Sequence, residues 1–300
     1  MHYRTFGKTG WQVSEIGLGG SWFYGRPEMG LKPASHGIAV VERALELGVN
    51  YFDTAPLYGR GRSEEILGVA LSGVTEPYYL ATKGGYFPGP FDYTRDAVWR
   101  SLDASLKRLN RDHVNLLQIH EAEKAGWEGL FARDRTIETL LDIQSQGICD
   151  FIGLTGSDLN LMSRTLKETD AFASVITFCK YDLLTQEATE ELVPTAADGD
   201  VAVICASPLH AGLLGSKRDH WKSLGRFPDL YGRLDKVTTM LNNEPEEMTR
   251  VALRYLLSDN RVKMLLSGVS DIGELEDCVA VSDGQYLSDE LVAEIEGMSL

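Results

Sequence analysis

The 300 residues carry 29 Lys plus Arg against 44 Asp plus Glu, a formal net charge of −15. That sign excludes nucleic acid and anionic membrane surfaces as the main partners, since both are polyanions. With 43% hydrophobic and 24% charged residues, the composition is that of a globular chain with material for a large core. Length alone allows one or two domains, although barrels of this size are routinely single domains.

The N-terminus is polar and basic, with no apolar h-region, and no run approaches the ~18 apolar residues of a membrane span. Cys149, Cys179, Cys205 and Cys278 lie too far apart for a zinc-type pair or a dithiol motif. Reduced, structural thiols and a cytoplasmic location are expected.

Residues 2–14 alternate weakly around Gly7-Lys8-Thr9-Gly10 and predict a small hairpin before the first core strand, 15–20. An aromatic and glycine-rich loop fills 21–33. Helical spacing begins at 36–47, with Ile38, Val41, Leu45 and Leu47 near one face and Gly48 as the stop. Residues 50–55 predict a strand, 63–72 a helix opened by Ser63 with two acids in its first turn, and 78–82 a strand. The helix over 94–109 aligns Val98, Leu102, Leu106 and Leu109, with Thr94 as its cap. Strand 114–119, helix 134–146, strand 151–155, helix 158–168, strand 174–179, helix 186–197 and strand 201–206 follow. A polar and aromatic segment, 210–243, breaks the rhythm before helix 245–258, strand 263–267, helix 273–281 and an acidic helix over 288–297.

Eight short apolar strands, each leading to a helix, predict a parallel sheet. The expected fold is an α/β TIM (β/α)8 barrel with an N-terminal β-hairpin and extra C-terminal helices, one domain over 1–300. A doubly wound open sheet is the alternative. It requires a glycine-rich phosphate fingerprint after the first strand, and Gly17, Gly19 and Gly20 do not form G-x-G-x-x-G.

In a barrel the chemistry gathers at the C-terminal strand ends. Asp53 closes the second strand and Tyr58 follows on its loop; Lys83 ends the third and His120 the fourth. A tyrosine titrates near ~10 in water, and a nearby ammonium stabilises its phenolate. A buried lysine needs a counter-charge, which Asp53 can supply, and a histidine can orient the reacting oxygen. Each residue alone has an ordinary structural explanation, as a cap, a packed aromatic, a loop cation or a backbone-bonded imidazole. At the ends of three consecutive strands, the four form a proton-transfer site for a carbonyl or alcohol. No His-x-His and no clustered His or carboxylate ligands occur at strand ends, so no metal is expected.

NYFDTAPLYG, ATKGG and LLQIH resemble the aldo-keto reductase superfamily, as do GLGG, SEEILG, ASPLHAGLL and LLSGVS. The resemblance spans nearly the whole chain. It implies a barrel that binds a nicotinamide cofactor, with a catalytic tetrad of Asp53, Tyr58, Lys83 and His120. Tyr58 is then the general acid/base, Lys83 its pKa depressant, Asp53 the partner of Lys83, and His120 the substrate orienter. Implied cofactor contacts are Trp22, Asp53, Ser157, Phe178, Ser207, Leu209, Gly212, Gly268, Ser270 and Asp271. Many members have Ser-Asn after strand five, where this chain has Thr155-Gly156-Ser157-Asp158. Phe178 stands where many have Gln, and Ala206 where many have a Tyr that stacks on the nicotinamide. FCKYD and ICASPLHAGLL are similar to the sugar-dehydrogenase branch, and Phe178 would supply the aromatic face that Ala206 lacks.

Many NADPH-using members carry a base just after the strand-eight glycine. Here Gly268-Val269-Ser270-Asp271-Ile272-Gly273-Glu274 has two acids and none. Asp271 would repel a 2′-phosphate or accept from a 2′-hydroxyl, or would simply cap the next helix. NAD is therefore the expected cofactor, with NADP the alternative. The expected reaction is oxidation of an aldose at C1 to a lactone. NADPH-dependent aldehyde or ketone reduction and a non-catalytic, cofactor-bound regulatory subunit are the alternatives. Trp22, Phe23 and Tyr24, with Tyr86, Phe87 and Phe91, are candidate walls for a small-molecule substrate. The 210–243 segment, with His210, His220, Trp221, Arg226, Phe227 and Tyr231, is either a lid or an extra packed subdomain.

Overall fold

A computed structural model of the chain describes residues 1–26, 30–85, 92–241 and 245–298. The core strands are β1 (Ile16–Gly19), β2 (Tyr51–Asp53), β3 (Tyr79–Gly84), β4 (Val114–Ile119), β5 (Cys149–Gly156), β6 (Phe172–Phe178), β7 (Ala202–Ala206) and β8 (Val262–Gly268). They close into a barrel in the order β6-β7-β8-β1-β2-β3-β4-β5, every neighbouring pair parallel. This is the expected TIM barrel. Continuous apolar strands suit it because one face meets helices and the other meets the barrel's own interior.

The interior is one apolar cluster that includes Tyr51, Ala81, Leu116, Ile176, Ile204, Met264 and Leu266. Its lower end is closed by the expected hairpin, Tyr3–Thr5 paired antiparallel with Gln12–Ser14. Phe6, between those strands, places its ring 5.6 Å from that of Tyr51, and Trp11 stacks 4.5 Å from Tyr79. Side chains alternate along a strand, so two residues beyond each apolar floor residue comes the next inward position. Tyr51 leads to Asp53, Ala81 to Lys83, Leu116 to Gln118 and then His120.

The outer ring holds α1 (Ala34–Glu46), α2 (Arg62–Ala70), α3 (Arg95–Leu109), α4 (Ala122–Phe131), α5 (Thr136–Ser145), α6 (Leu159–Glu168) and α7 (Leu192–Asp198). After β7 come α8 (Arg218–Ser223), α9 (Tyr231–Met240) and α10 (Pro245–Ser258); after β8 come α11 (Ile272–Ala280) and α12 (Asp289–Glu296). Three helix starts differ from expectation. α2 opens at Gly61, and Ser63 instead bonds Thr54, hydroxyl to hydroxyl at 2.8 Å. Thr94 sits at the N-cap of α3 but turns its hydroxyl to Asp92 at 2.6 Å. The single helix expected over 134–146 is preceded by α4, whose stripe is hidden by Gly126, at φ 65°.

The segment after β7 is built as a packed unit. Trp221 and Leu234 are buried, the Trp221 ring lies 6.4 Å from Phe227, and the Arg226 guanidinium sits 5.1 Å over Trp221. Arg233 anchors the C-terminal helix to it. Its buried guanidinium donates to the carbonyls of Leu183 (3.1 Å), Met298 (2.7 Å) and Ile295 (3.0 Å). Removing it leaves several carbonyls without their donor. Arg233→Met is expected to cost on the order of 3 kcal/mol, read as a lowered denaturant midpoint.

Candidate active site

The inward positions at the C-terminal ends of β2, β3 and β4 bring the four expected residues together. Asp53 and Lys83 are buried and form an ion pair through Oδ1 and Nζ. The ammonium also donates to the Thr54 carbonyl at 2.9 Å. Lys83 Nζ lies 4.9 Å from the centre of the Tyr58 ring, and the His120 ring meets that ring edge-on at 5.8 Å and 88°.

Local geometry explains how Tyr58 is presented. Residues Tyr58–Gly61 make a tight turn in which Gly59 has φ 60° and Gly61 φ 92°. Those values are steeply unfavourable for residues with a Cβ. A Cβ on Gly59 would also meet the Tyr24 ring at 2.9 Å, and one on Gly61 the Arg108 side chain at 2.5 Å.

Two further residues support the set. Gln118 Nε2 donates to Asp53 Oδ2 at 2.6 Å, so both oxygens of the carboxylate are engaged. Its signal in the sequence was its place two residues before His120, a polar side chain on the inward face of the strand. Tyr93 donates its hydroxyl to the His120 carbonyl at 2.8 Å, and no spacing in the sequence foretold that contact.

Burial dominates the protonation states. It raises the Tyr58 phenol above its ordinary value of 10.0; Lys83 pulls the other way without overcoming it. The expectation of a depressed phenol is therefore half met, since Lys83 acts in the stated direction but desolvation outweighs it. Burial likewise works to lower the Lys83 ammonium, and Asp53 with Tyr58 reverse that, leaving it raised. Burial first, then the Lys83 charge, pushes the His120 imidazole well below 6.5, so it is neutral at physiological pH.

A cleft opens beside these groups, reaching Asp53 and Tyr58. Asp53, Tyr58 and Phe178 lie along it, as do Gly19, Trp22, Ser207, Leu209, Gly212 and Gly268, and further residues run to Ser216, Lys217, Glu274, Asp277 and Cys278. Trp22, Phe178, Ser207, Leu209, Gly212 and Gly268 are thus where the expected cofactor contacts were placed. Phe178 is 55% exposed, an apolar ring held out into the opening.

Three expected contacts lie off the cleft wall. The Ser157 hydroxyl donates to Glu123 at 2.7 Å. Ser270 is occupied by Glu274, which accepts from its N–H and its hydroxyl at 2.8 Å each. Asp271 caps α11 through Glu274 N at 3.0 Å, the simpler of its two readings. Of the two acids in the run after Gly268, Glu274 is the one that lines the cleft, with Asp277 beyond it. Of the aromatic loop, Trp22 lines the cleft while Phe23 and Tyr24 are buried in the core. Tyr86, Phe87 and Phe91 lie outside the described residues. Lys217 was not anticipated, since it falls in the irregular segment after β7. Its Nζ is 4.1 Å from the Trp22 ring centre, and the Arg26 guanidinium lies 3.8 Å from the same ring.

A parallel eight-stranded barrel with a charged, proton-handling cluster under an elongated cleft defines an oxidoreductase of the aldo-keto reductase class. Residues 15–299 match the Aldo/keto reductase family, and the chain belongs to it. It is 29% identical to L-galactose dehydrogenase of Arabidopsis thaliana, covering 99% of this chain and 94% of that one. It is 27% identical to D-threo-aldose 1-dehydrogenase of a Pseudomonas species, over 79% and 80% of the two chains. The holo form of aldo-keto reductase AKR11C1 from Bacillus halodurans superposes with a TM-score of 0.80 at 26% identity, over 99% of this chain and 95% of that one.

Proposed function

We propose that this chain, working as one domain, oxidises an aldose at C1 to the lactone with NAD as hydride acceptor. The observation that carries the reading is the buried Asp53–Lys83 pair, its ammonium 4.9 Å from the Tyr58 ring, with neutral His120 edge-on to that ring and Asp53 and Tyr58 lining an open cleft. The residues along the cleft suit a dinucleotide. Phe178 offers an aromatic face beside the tetrad, Lys217 a cation for phosphate, and Glu274 a carboxylate toward the far end. A bound nicotinamide supplies the two-electron acceptor. Tyr58 takes the C1 hydroxyl proton as the hydride leaves C1, and the Lys83 charge stabilises the phenolate that this requires. Neutral His120 orients the sugar oxygen, and Asp53 with Gln118 holds Lys83 in register. Two similar proteins are named as sugar dehydrogenases, which supports an aldose over a simple aldehyde.

Glu274 supports NAD. A 2′-phosphate would meet a carboxylate there, whereas a ribose hydroxyl would find an acceptor. Lys217 and Arg26 near Trp22 favour the second reading, NADPH-dependent carbonyl reduction. The four cysteines are free thiols, as in a reducing cytoplasm. The deciding assay sets a panel of aldoses and aldehydes against NAD, NADP and their reduced forms. Higher kcat/KM for an aldose with NAD is expected; a clear preference for NADP, or turnover of aldehydes only, would overturn the reading.

A further inference from the structure

Two neighbouring segments at the end of the barrel contribute to the cleft, and a buried side-chain contact, His210 to Asp182, ties them together beyond the strand pairing of Phe178 with Ala206. The loop after β6 starts at Phe178 and runs through Cys179 to Asp182. The loop after β7 contributes Ser207, Pro208, Leu209, Ala211 and Gly212. The second loop is held in an uncommon conformation. Ser207, His210 and Ala211 all have left-handed backbones, at φ 59°, 47° and 55°, which side chains bearing a Cβ disfavour. Such a segment persists only where its surroundings over-determine it.

The surroundings here centre on His210. Its Nδ1 lies 2.8 Å from Asp182 Oδ2, and both residues are buried. An ionised carboxylate only accepts, so Nδ1 carries the proton. Asp182 is itself fixed by the Leu184 and Thr185 N–H groups, which donate to Oδ1 at 2.8 and 3.2 Å. The other side of the imidazole environment is the Phe227 ring, edge-on at 4.9 Å. Ala211 N donates to Ser207 Oγ at 2.7 Å, and Trp221 Nε1 donates to the Ala211 carbonyl at 2.8 Å. Within the strained loop, His210 reaches deepest across, bonding a buried carboxylate of the segment that follows Phe178. None of these atoms touches Asp53, Tyr58, Lys83 or His120.

We propose that His210 is a positioning residue for the cofactor: its bond to Asp182 fixes the β6 and β7 loops at the spacing that grips the dinucleotide. The inference rests on the reading that this cleft holds a nicotinamide dinucleotide. Breaking the bond releases one loop from the other, so ground-state cofactor binding weakens while the proton-handling groups keep their geometry.

The test measures NAD and NADH affinity by quenching of tryptophan fluorescence, together with KM for NAD and kcat at saturating NAD, on the full chain. Wild type that binds neither dinucleotide refutes the cofactor reading itself, independently of His210. Given wild-type binding, His210→Phe keeps the ring volume but loses the donor, and is expected to raise the cofactor Kd and KM about tenfold or more, with kcat within about twofold. His210→Asn retains a donor near the Nδ1 position and tolerates the left-handed backbone; its Kd is expected to return to within about threefold of wild type. Should His210→Phe fail to fold, Asp182→Leu, which removes the acceptor, carries the same expectation of a raised Kd with kcat preserved. Wild-type cofactor affinity in the folded variant, a fall in kcat alone, or no rescue by His210→Asn would each overturn the proposal.

Discussion

Tyr58→Phe is expected to lower kcat by roughly 10²–10⁴-fold, the contribution of a positioned general acid or base, with cofactor affinity near that of wild type. The substitution removes one oxygen and retains the ring that His120 meets edge-on. Lys83 keeps its counter-charge, Asp53. The same group sets the pH dependence. Burial holds the phenol above 10.0, so at neutral pH nearly all of it is protonated. Oxidation needs it to accept a proton and is expected to accelerate as pH rises from neutrality. Reduction needs it to donate and is expected to stay level from neutrality, slowing only above pH 10 where the phenol begins to ionise. His120 adds no limb near neutrality, because burial keeps its imidazole uncharged there. Steady-state rates in both directions across pH, for wild type and Tyr58→Phe, check both points. A wild-type protein that binds cofactor but turns over no member of the substrate panel would instead favour a regulatory subunit.

Asp53→Leu is expected to abolish turnover and, in addition, to destabilise the fold by about 3–5 kcal/mol, because it leaves an ammonium buried without its counter-charge. Gln118 loses its acceptor in the same step. A second substitution separates the two effects. Combining Asp53→Leu with Lys83→Met removes both charges, and replacing a buried ion pair by apolar groups is often neutral for stability. The double variant is expected to recover most of the denaturant midpoint and none of the activity. If the single variant melts like wild type, the pair contributes nothing to the fold and the buried-charge argument fails.

The barrel was legible because the period of its strands is short and their faces are both apolar. Each strand therefore stood out as a continuous run between helices. The tetrad was legible for a related reason: barrel topology sends strand ends to one place, so Asp53, Lys83 and His120 converge without any need to foresee side-chain packing. What the sequence hid depends on contacts between elements. Glu64, read as a first-turn acid suited to the helix dipole, is buried, accepting from Thr82 at 2.7 Å and from Arg108 at 2.7 Å. Asp271 and Glu274 are three residues apart and equally acidic in print; only the cap geometry of α11 decides which one faces the cleft. Lys217 lies in a stretch with no period, where spacing carries no information about direction.

The hairpin under the barrel makes it a vessel open at one end. Phe6 and Trp11 pack over the base, on the side of the barrel away from the cleft, and the Asp53–Lys83 pair above them is buried. Counter-ions screen exposed charges over about 8 Å at physiological ionic strength, but they do not enter a dry interior. The buried Asp53–Lys83 attraction is therefore expected to respond little to salt. Lys217, out along the mouth, has no such insulation. On the proposed function, raising ionic strength is expected to weaken capture of an anionic dinucleotide far more than it perturbs that buried pair.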